Sequence, residues 1–218
     1  MTSLCLIADT HCKHRELVIP ECDILIHAGD FCRFHKDDER VLNDVDSWFA
    51  EVPAKHVICI GGNHDFLLQS GEFSFTNATV LEDSLVELEG LSFYGSPRCP
   101  ELVNFAYYAT DEELLERWGK IPSGIDVLIT HTPPHGILDV PSSGNYHLGC
   151  PHLMAELKRI QPRLHVFGHI HASHGTLQQD GTKFANAAAF RGPDLAVSHS
   201  PIQVSLDRRA LEQLADRV

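Results

Sequence analysis

Leu4-Cys5-Leu6-Ile7-Ala8-Asp9-Thr10-His11 joins a short apolar run to an Asp-x-His pair. The run is built from leucine, isoleucine and small residues and ends on polar groups, the pattern of a buried strand that opens into a loop. Two further runs repeat it. Ile24-Leu25-Ile26-His27-Ala28 leads into Gly29-Asp30, and His56-Val57-Ile58-Cys59-Ile60 leads into Gly62-Asn63-His64-Asp65. Between the second and third, Val41, Leu42, Val45, Trp48 and Phe49 fall at helical spacing within Lys36 to Ala50. Strand, helix, strand predicts a right-handed crossover and a parallel sheet.

Farther along, Ser84 to Leu88 and Leu91 to Gly95 flank Glu89-Gly90 and read as an antiparallel hairpin. Thr110 with Glu113 three residues on is a capping box, so a helix is expected from there to about Trp118. Asp126 to Thr130 reads as another buried strand, and Leu164 to Phe167 as the next. Pro151 to Ile160, with Leu153, Leu157 and Ile160 on one face, reads as a helix between them. Short strands are expected at Thr176 to Gln178, Lys183 to Ala185 and Pro201 to Leu206, and a helix over the last dozen residues. The pattern as a whole is α/β, with a mixed sheet or two stacked sheets flanked by helices.

Polar residues cluster where these strands end. Asp9 and His11 follow the first strand, Asp30 the second, and Asn63, His64 and Asp65 the third. His131 ends the strand beginning at Asp126, and Gly168-His169-Ile170-His171 follows the strand ending at Phe167. The carboxyl edge of an α/β sheet is where ligands bind. Asp9 with His11, and His169 with His171, stand two residues apart, so in extended chain each pair points to one side and could reach one ion. Seven oxygen and nitrogen donors exceed what one transition ion needs and suit two ions sharing a carboxylate.

Composition excludes other classes. At −13 with neutral histidine, the chain lacks the basic surface that nonspecific nucleic-acid or membrane binding requires. No stretch approaches the roughly 20 apolar residues of a membrane span. Met1-Thr2-Ser3 leads into only a short apolar run, so it does not read as a secretory signal, and a cytoplasmic location is expected. The seven cysteines are odd in number, form no CxxC pair, and read as reduced thiols.

In their order, Asp9-Thr10-His11, Gly29-Asp30, Gly62-Asn63-His64-Asp65, His131 and Gly168-His169-Ile170-His171 resemble the motif set of the calcineurin-like metallophosphoesterase superfamily. Phe93-Tyr94-Gly95-Ser96-Pro97, Thr130-His131 with Pro133-Pro134, and Leu164 to Gly168 resemble its metallophosphoesterase-domain branch, akin to class III cyclic-nucleotide phosphodiesterases. The resemblance implies an α/β fold, a four-layer α/β/β/α sandwich with two mixed sheets, as one domain over residues 1–218. It implies two divalent metal ions, manganese or iron foremost and zinc as another occupant. Asp9, His11 and His171 would hold the first ion, Asn63, His131 and His169 the second, and Asp30 would bridge them. His64 would be a catalytic histidine that binds no metal. Asp65 is expected either to orient His64 or to cap the helix that starts there.

The implied activity is hydrolysis of small cyclic or linear nucleotides, or of generic phosphodiesters, by attack of a metal-bridging hydroxide. The other reading is a low-activity nucleotide-binding or scaffold module of the same fold. The implied partner is a small phosphoester such as a nucleotide, without stable nucleic-acid or membrane binding, and a homodimer is left open. Asp30 is followed by Phe31-Cys32-Arg33 rather than by the arginine-rich signature of protein phosphatases, which argues against phosphoprotein substrates. Arg98 and Ala172 stand where the branch often has tryptophan and glutamate, so they bear on substrate choice.

Several other residues are candidates for substrate contact: Arg33 and Arg98 for phosphate, Phe105 and Tyr108 beside Asn104 for a base, and His135 and His174 near the motif loops. His27 and His165 are expected in the core, and His14, His35, His147, His152 and His199 at the surface.

Overall fold

The computed structural model describes residues 1–33, 38–100, 102–191 and 197–207. In chain order its strands and helices are β1 (Thr2–Ile7), β2 (Cys22–His27), α1 (Asp38–Glu51), β3 (Ala54–Cys59), α2 (Phe66–Ser70), β4 (Thr79–Val80), β5 (Ser84–Leu88), β6 (Leu91–Ser96), α3 (Asp111–Gly119) and β7 (Val127–Thr130). They continue with α4 (Pro151–Ile160), β8 (Leu164–Phe167), β9 (Gly175–Gln179), β10 (Thr182–Asn186), β11 (Phe190–Arg191), β12 (Val197–Ser198) and β13 (Ile202–Leu206). The helix expected over the last dozen residues falls, but for Asp207, outside the described residues, as does His35.

Two mixed sheets carry the fold. The first has the order β13-β1-β2-β3-β4, parallel except for β13. The second has the order β5-β6-β7-β8-β10-β9, parallel at its centre with antiparallel strands at both edges. Strand alternation explains why both faces of each are apolar. In β1, Leu4 and Leu6 turn toward the second sheet, where they pack with Phe93, Ile129 and Val166. Cys5 and Ile7 turn the other way, into a cluster with Val41, Leu42, Val45 and Trp48 of α1.

The second sheet repeats the scheme. Its outward residues Tyr94, Leu128 and Phe167 pack against Leu114 and Trp118 of α3 and Leu153 and Ile160 of α4. The layers are therefore helix, sheet, sheet, helix. The capping box on α3 forms as read from the sequence: the Thr110 side chain accepts from Glu113 N and the Glu113 side chain accepts from Thr110 N. Among the described residues, no helix is long and apolar enough to cross a membrane.

One surface expectation fails. His14 is buried against the Trp48 ring, with Nε2 3.0 Å from Asp44. Its isolated position in a loop gave no sign that α1 would cover it.

Candidate metal centre

Five parallel strands aim their carboxyl ends at one place. The loops after β1, β2 and β3 deliver Asp9 and His11, Asp30, and Asn63 and His64 from the first sheet. Those after β7 and β8 deliver His131, His169 and His171 from the second. Asp9, His11, Asp30, Asn63 and His131 are buried. Asp9, His11, Asp30 and His169 have left-handed backbones, with φ of 54°, 41°, 62° and 67°. Such conformations are rare outside glycine, and they concentrate at functional sites.

This backbone corrects the extended-chain reading of the paired motifs. Asp9, His11 and His171 form one group of donors lying within 4.8 Å of one another, whereas His169 groups with His131. Asp9 and His11 thus share a cluster, but His169 and His171 divide between two. A sharp turn, with His171 opening a 3-10 segment, separates them.

Asp30 lies between the groups. Its Oδ2 is 3.7 Å from His11 Nε2, 3.5 Å from His131 Nε2 and 4.0 Å from His64 Nε2. His171 Nε2 is 3.4 Å from Asp9 Oδ1, and His131 Nε2 is 2.9 Å from Asn63 Oδ1. Two glycines make the close approach feasible. A Cβ on Gly62 would sit 2.3 Å from Asp30 Oδ1, and one on Gly168 would sit 2.1 Å from Asp9 Oδ2.

The donor set fits cations. His11 Nδ1 lies 2.7 Å from the Cys32 carbonyl and His131 Nδ1 lies 2.8 Å from the Ala28 carbonyl. Each therefore donates Nδ1–H to the backbone, which leaves the Nε2 lone pair of a neutral ring facing the carboxylates. His11 Nε2 also faces His171 Nε2 at 3.3 Å. Acceptors aimed at acceptors repel unless positive charge lies among them. Where no cation supplies that charge a proton does: burial lowers the His131 pKa, but the Asp30 carboxylate outweighs it and pushes it up to about 9.

His64 stands at the rim, 27% exposed, its ring edge-on to His11 at 5.0 Å and to Phe105 at 5.4 Å. Phe105 thus reaches the site mouth beside His64. Asp65 takes neither role expected of it. Its buried carboxylate accepts N–H bonds from Asp30, Phe31, Cys32 and Gly62 at 2.8–3.0 Å, and makes no side-chain cap on α2. Burial, with the Asp30 carboxylate nearby, pushes its pKa up to about 7, against the pull of the backbone N–H donors toward the ionised form. Asp65 braces the turn that carries Asp30.

Arg98 is also otherwise engaged. It donates to Asp83 at 3.1 Å and Glu82 at 2.5 Å, and lies over the Tyr107 ring. The His135 ring is tilted 54° against that of His147, and His174 lies flat on His199 with centroids 4.2 Å apart. His27 and His165 are core residues with hydrogen bonds to Thr10 and Thr130, as expected.

Comparison with known proteins agrees with this architecture. A family model described as calcineurin-like phosphoesterase matches residues 4–173. A UPF0046 protein of Caenorhabditis elegans is 36% identical over 84% of this chain and 68% of its own length. Metallophosphoesterase domain-containing protein 1 of Homo sapiens is 33% identical over 86% of this chain and 66% of its own. The chain thus spans about two thirds of the length of these relatives, 66% and 68%. A solved crystal structure superposes with a TM-score of 0.59 over 85% of this chain and 90% of the other, at 16% identity, a likeness of fold alone. Because the family match runs through all five strand-end clusters and the curated relatives align over most of the chain, this protein belongs to the calcineurin-like phosphoesterases.

Proposed function

We propose that the chain is a two-metal phosphoesterase that acts on small phosphodiesters, cyclic or linear nucleotides among them. One observation carries this reading: His11 and His131 each donate Nδ1–H to a backbone carbonyl and aim Nε2 at the Asp30 carboxylate between them. Asp9, His11 and His171 would hold one ion and Asn63, His131 and His169 the other, with Asp30 common to both. Manganese or iron suits these donors, and zinc is a further occupant. When bound, such ions supply a hydroxide nucleophile near neutral pH and offset charge on the phosphoryl oxygens.

The chain's own groups do the rest. Asp65 fixes the Asp30 turn, and Phe105 packs edge-on against His64. His64, partly open to solvent and beside the carboxylate cluster, is placed to give a proton to the leaving oxygen, a contribution of about 10²–10⁴-fold in rate. A cavity of about 580 Å³ opens beside His169 and His171, walled by Leu148, Ile170, Ala172 and Arg191. Its size is that of a small-molecule pocket, and an apolar wall with one cation would take the organic and anionic parts of a nucleotide.

The test is hydrolysis of bis-p-nitrophenyl phosphate and of p-nitrophenyl phosphate by metal-stripped protein restored with manganese. Metal-dependent cleavage of the diester well above the monoester is expected. Two bound ions without turnover of either ester would overturn it in favour of a binding module.

A further inference from the structure

Of the six buried cysteines, five lie in apolar clusters: Cys5, Cys22, Cys32 and Cys59 behind the first sheet and Cys150 behind the second. Cys99 is fully buried and belongs to none of the three hydrophobic clusters among the described residues. It turns toward the candidate metal centre. Its Sγ and one ring nitrogen each of His131 and His169 all lie within 4.8 Å of one another. Backbone bonds fix it there. Cys99 N donates to Tyr107 O at 3.0 Å, and Ala109 N donates to Cys99 O at 3.1 Å. The same loop is tied to the strand end that carries Asn63, because Ala106 N donates to Asn63 O at 3.0 Å. A buried sulfur packs among apolar groups, joins a disulfide or binds a metal. Cys99 is unpaired, and its near neighbours are His169 and His131, the latter with Nε2 also facing Asn63 Oδ1 and Asp30 Oδ2.

We propose that Cys99 supplies a thiolate ligand to the ion held by His131 and His169. This rests on the metal-centre reading above. The two halves of the centre then differ: the Asp9–His11–His171 half offers only oxygen and nitrogen, whereas the other half has one soft donor. On coordination the S–H bond breaks, its proton passes to the buffer, and the sulfur keeps the electron pair it shares with the ion. No oxidant or reductant is consumed. Thiolate favours zinc or iron over manganese, so the half containing Cys99 is the one that selects among metals.

Loading the full chain with cobalt(II) and recording its absorption spectrum tests this. A near-ultraviolet thiolate-to-cobalt charge-transfer band is expected, together with visible ligand-field bands. The charge-transfer band should persist in Cys12→Ser, which alters the one exposed cysteine beside His11. In Cys99→Ser it should be lost while cobalt content and the visible bands remain. The wild-type spectrum decides by itself should Cys99→Ser fail to fold. Cobalt bound with visible bands but no charge-transfer band overturns the ligand assignment and leaves the metal centre standing, as does a band that survives in Cys99→Ser. No cobalt binding at all overturns both.

Discussion

Asp65 Oδ2 accepts the backbone N–H of Asp30 at 2.9 Å, so one buried carboxylate sets the backbone on which the other stands. The same side chain ties in Phe31, Cys32 and Gly62. Replacing it with asparagine swaps an acceptor oxygen for an NH₂ that faces N–H donors. Asp65→Asn is expected to cost about 2–4 kcal/mol, because buried donors lose their partner at about 1–3 kcal/mol each. Urea denaturation gives the stability, and elemental analysis should show lowered metal content.

His64 and Asp30 should separate chemistry from assembly. His64→Ala is expected to keep both ions and lose about 10²-fold or more in turnover of esters with poor leaving groups. The loss should be smaller for nitrophenolate, which departs without a proton. Asp30→Ala should lose the ions themselves. Metal analysis paired with kinetics on both leaving groups checks this, and equal metal and equal rates in the two variants would contradict the assignment.

Glycine substitutions test how tightly the loops are drawn together. In Gly168→Ala the new methyl would meet Asp9 Oδ2 at 2.1 Å and Ala8 Cβ at 2.6 Å, so Asp9 must move. A cost of about 1–3 kcal/mol and loss of metal are expected. Gly119, the last residue of α3, has open space where an added methyl would stand, and Gly119→Ala should be neutral or stabilise by up to about 1 kcal/mol. Thermal melts and metal content of the two variants make the comparison.

Two core histidines give the fold an acid limit. Burial holds both His27 and His165 down at about 3 in the folded protein. Unfolded, each titrates near 6.5. Between those values the unfolded chain binds more protons, so stability is full above the unfolded value and falls as the pH drops toward the folded one. Each histidine adds a slope of up to about 1.4 kcal/mol per pH unit in that window. Urea midpoints across the range should show it, and His165→Gln should remove one histidine's share.

Local chemistry explains what the sequence made legible. Apolar runs ending in Asp, Asn or His marked the five strands that build the centre, and Thr110 with Glu113 and Pro151 marked two helix starts. What stayed hidden depends on contacts between distant segments. Nothing local says that Asp65 reaches back to residues 30–32, that α1 covers His14, or that Cys99 arrives beside His131 and His169. The division of His169 from His171 was hidden for another reason: their two-residue spacing implies one face only in extended chain, and His169 is left-handed.

The central claim is that two ions share Asp30. Electron paramagnetic resonance of the chain loaded with manganese to saturation tests it most directly. An exchange-coupled spectrum at two ions per chain is the expected result, giving way in Asp30→Ala to the spectrum of isolated ions or to lost metal. A wild-type chain that takes up manganese fully yet shows only isolated ions would contradict the account.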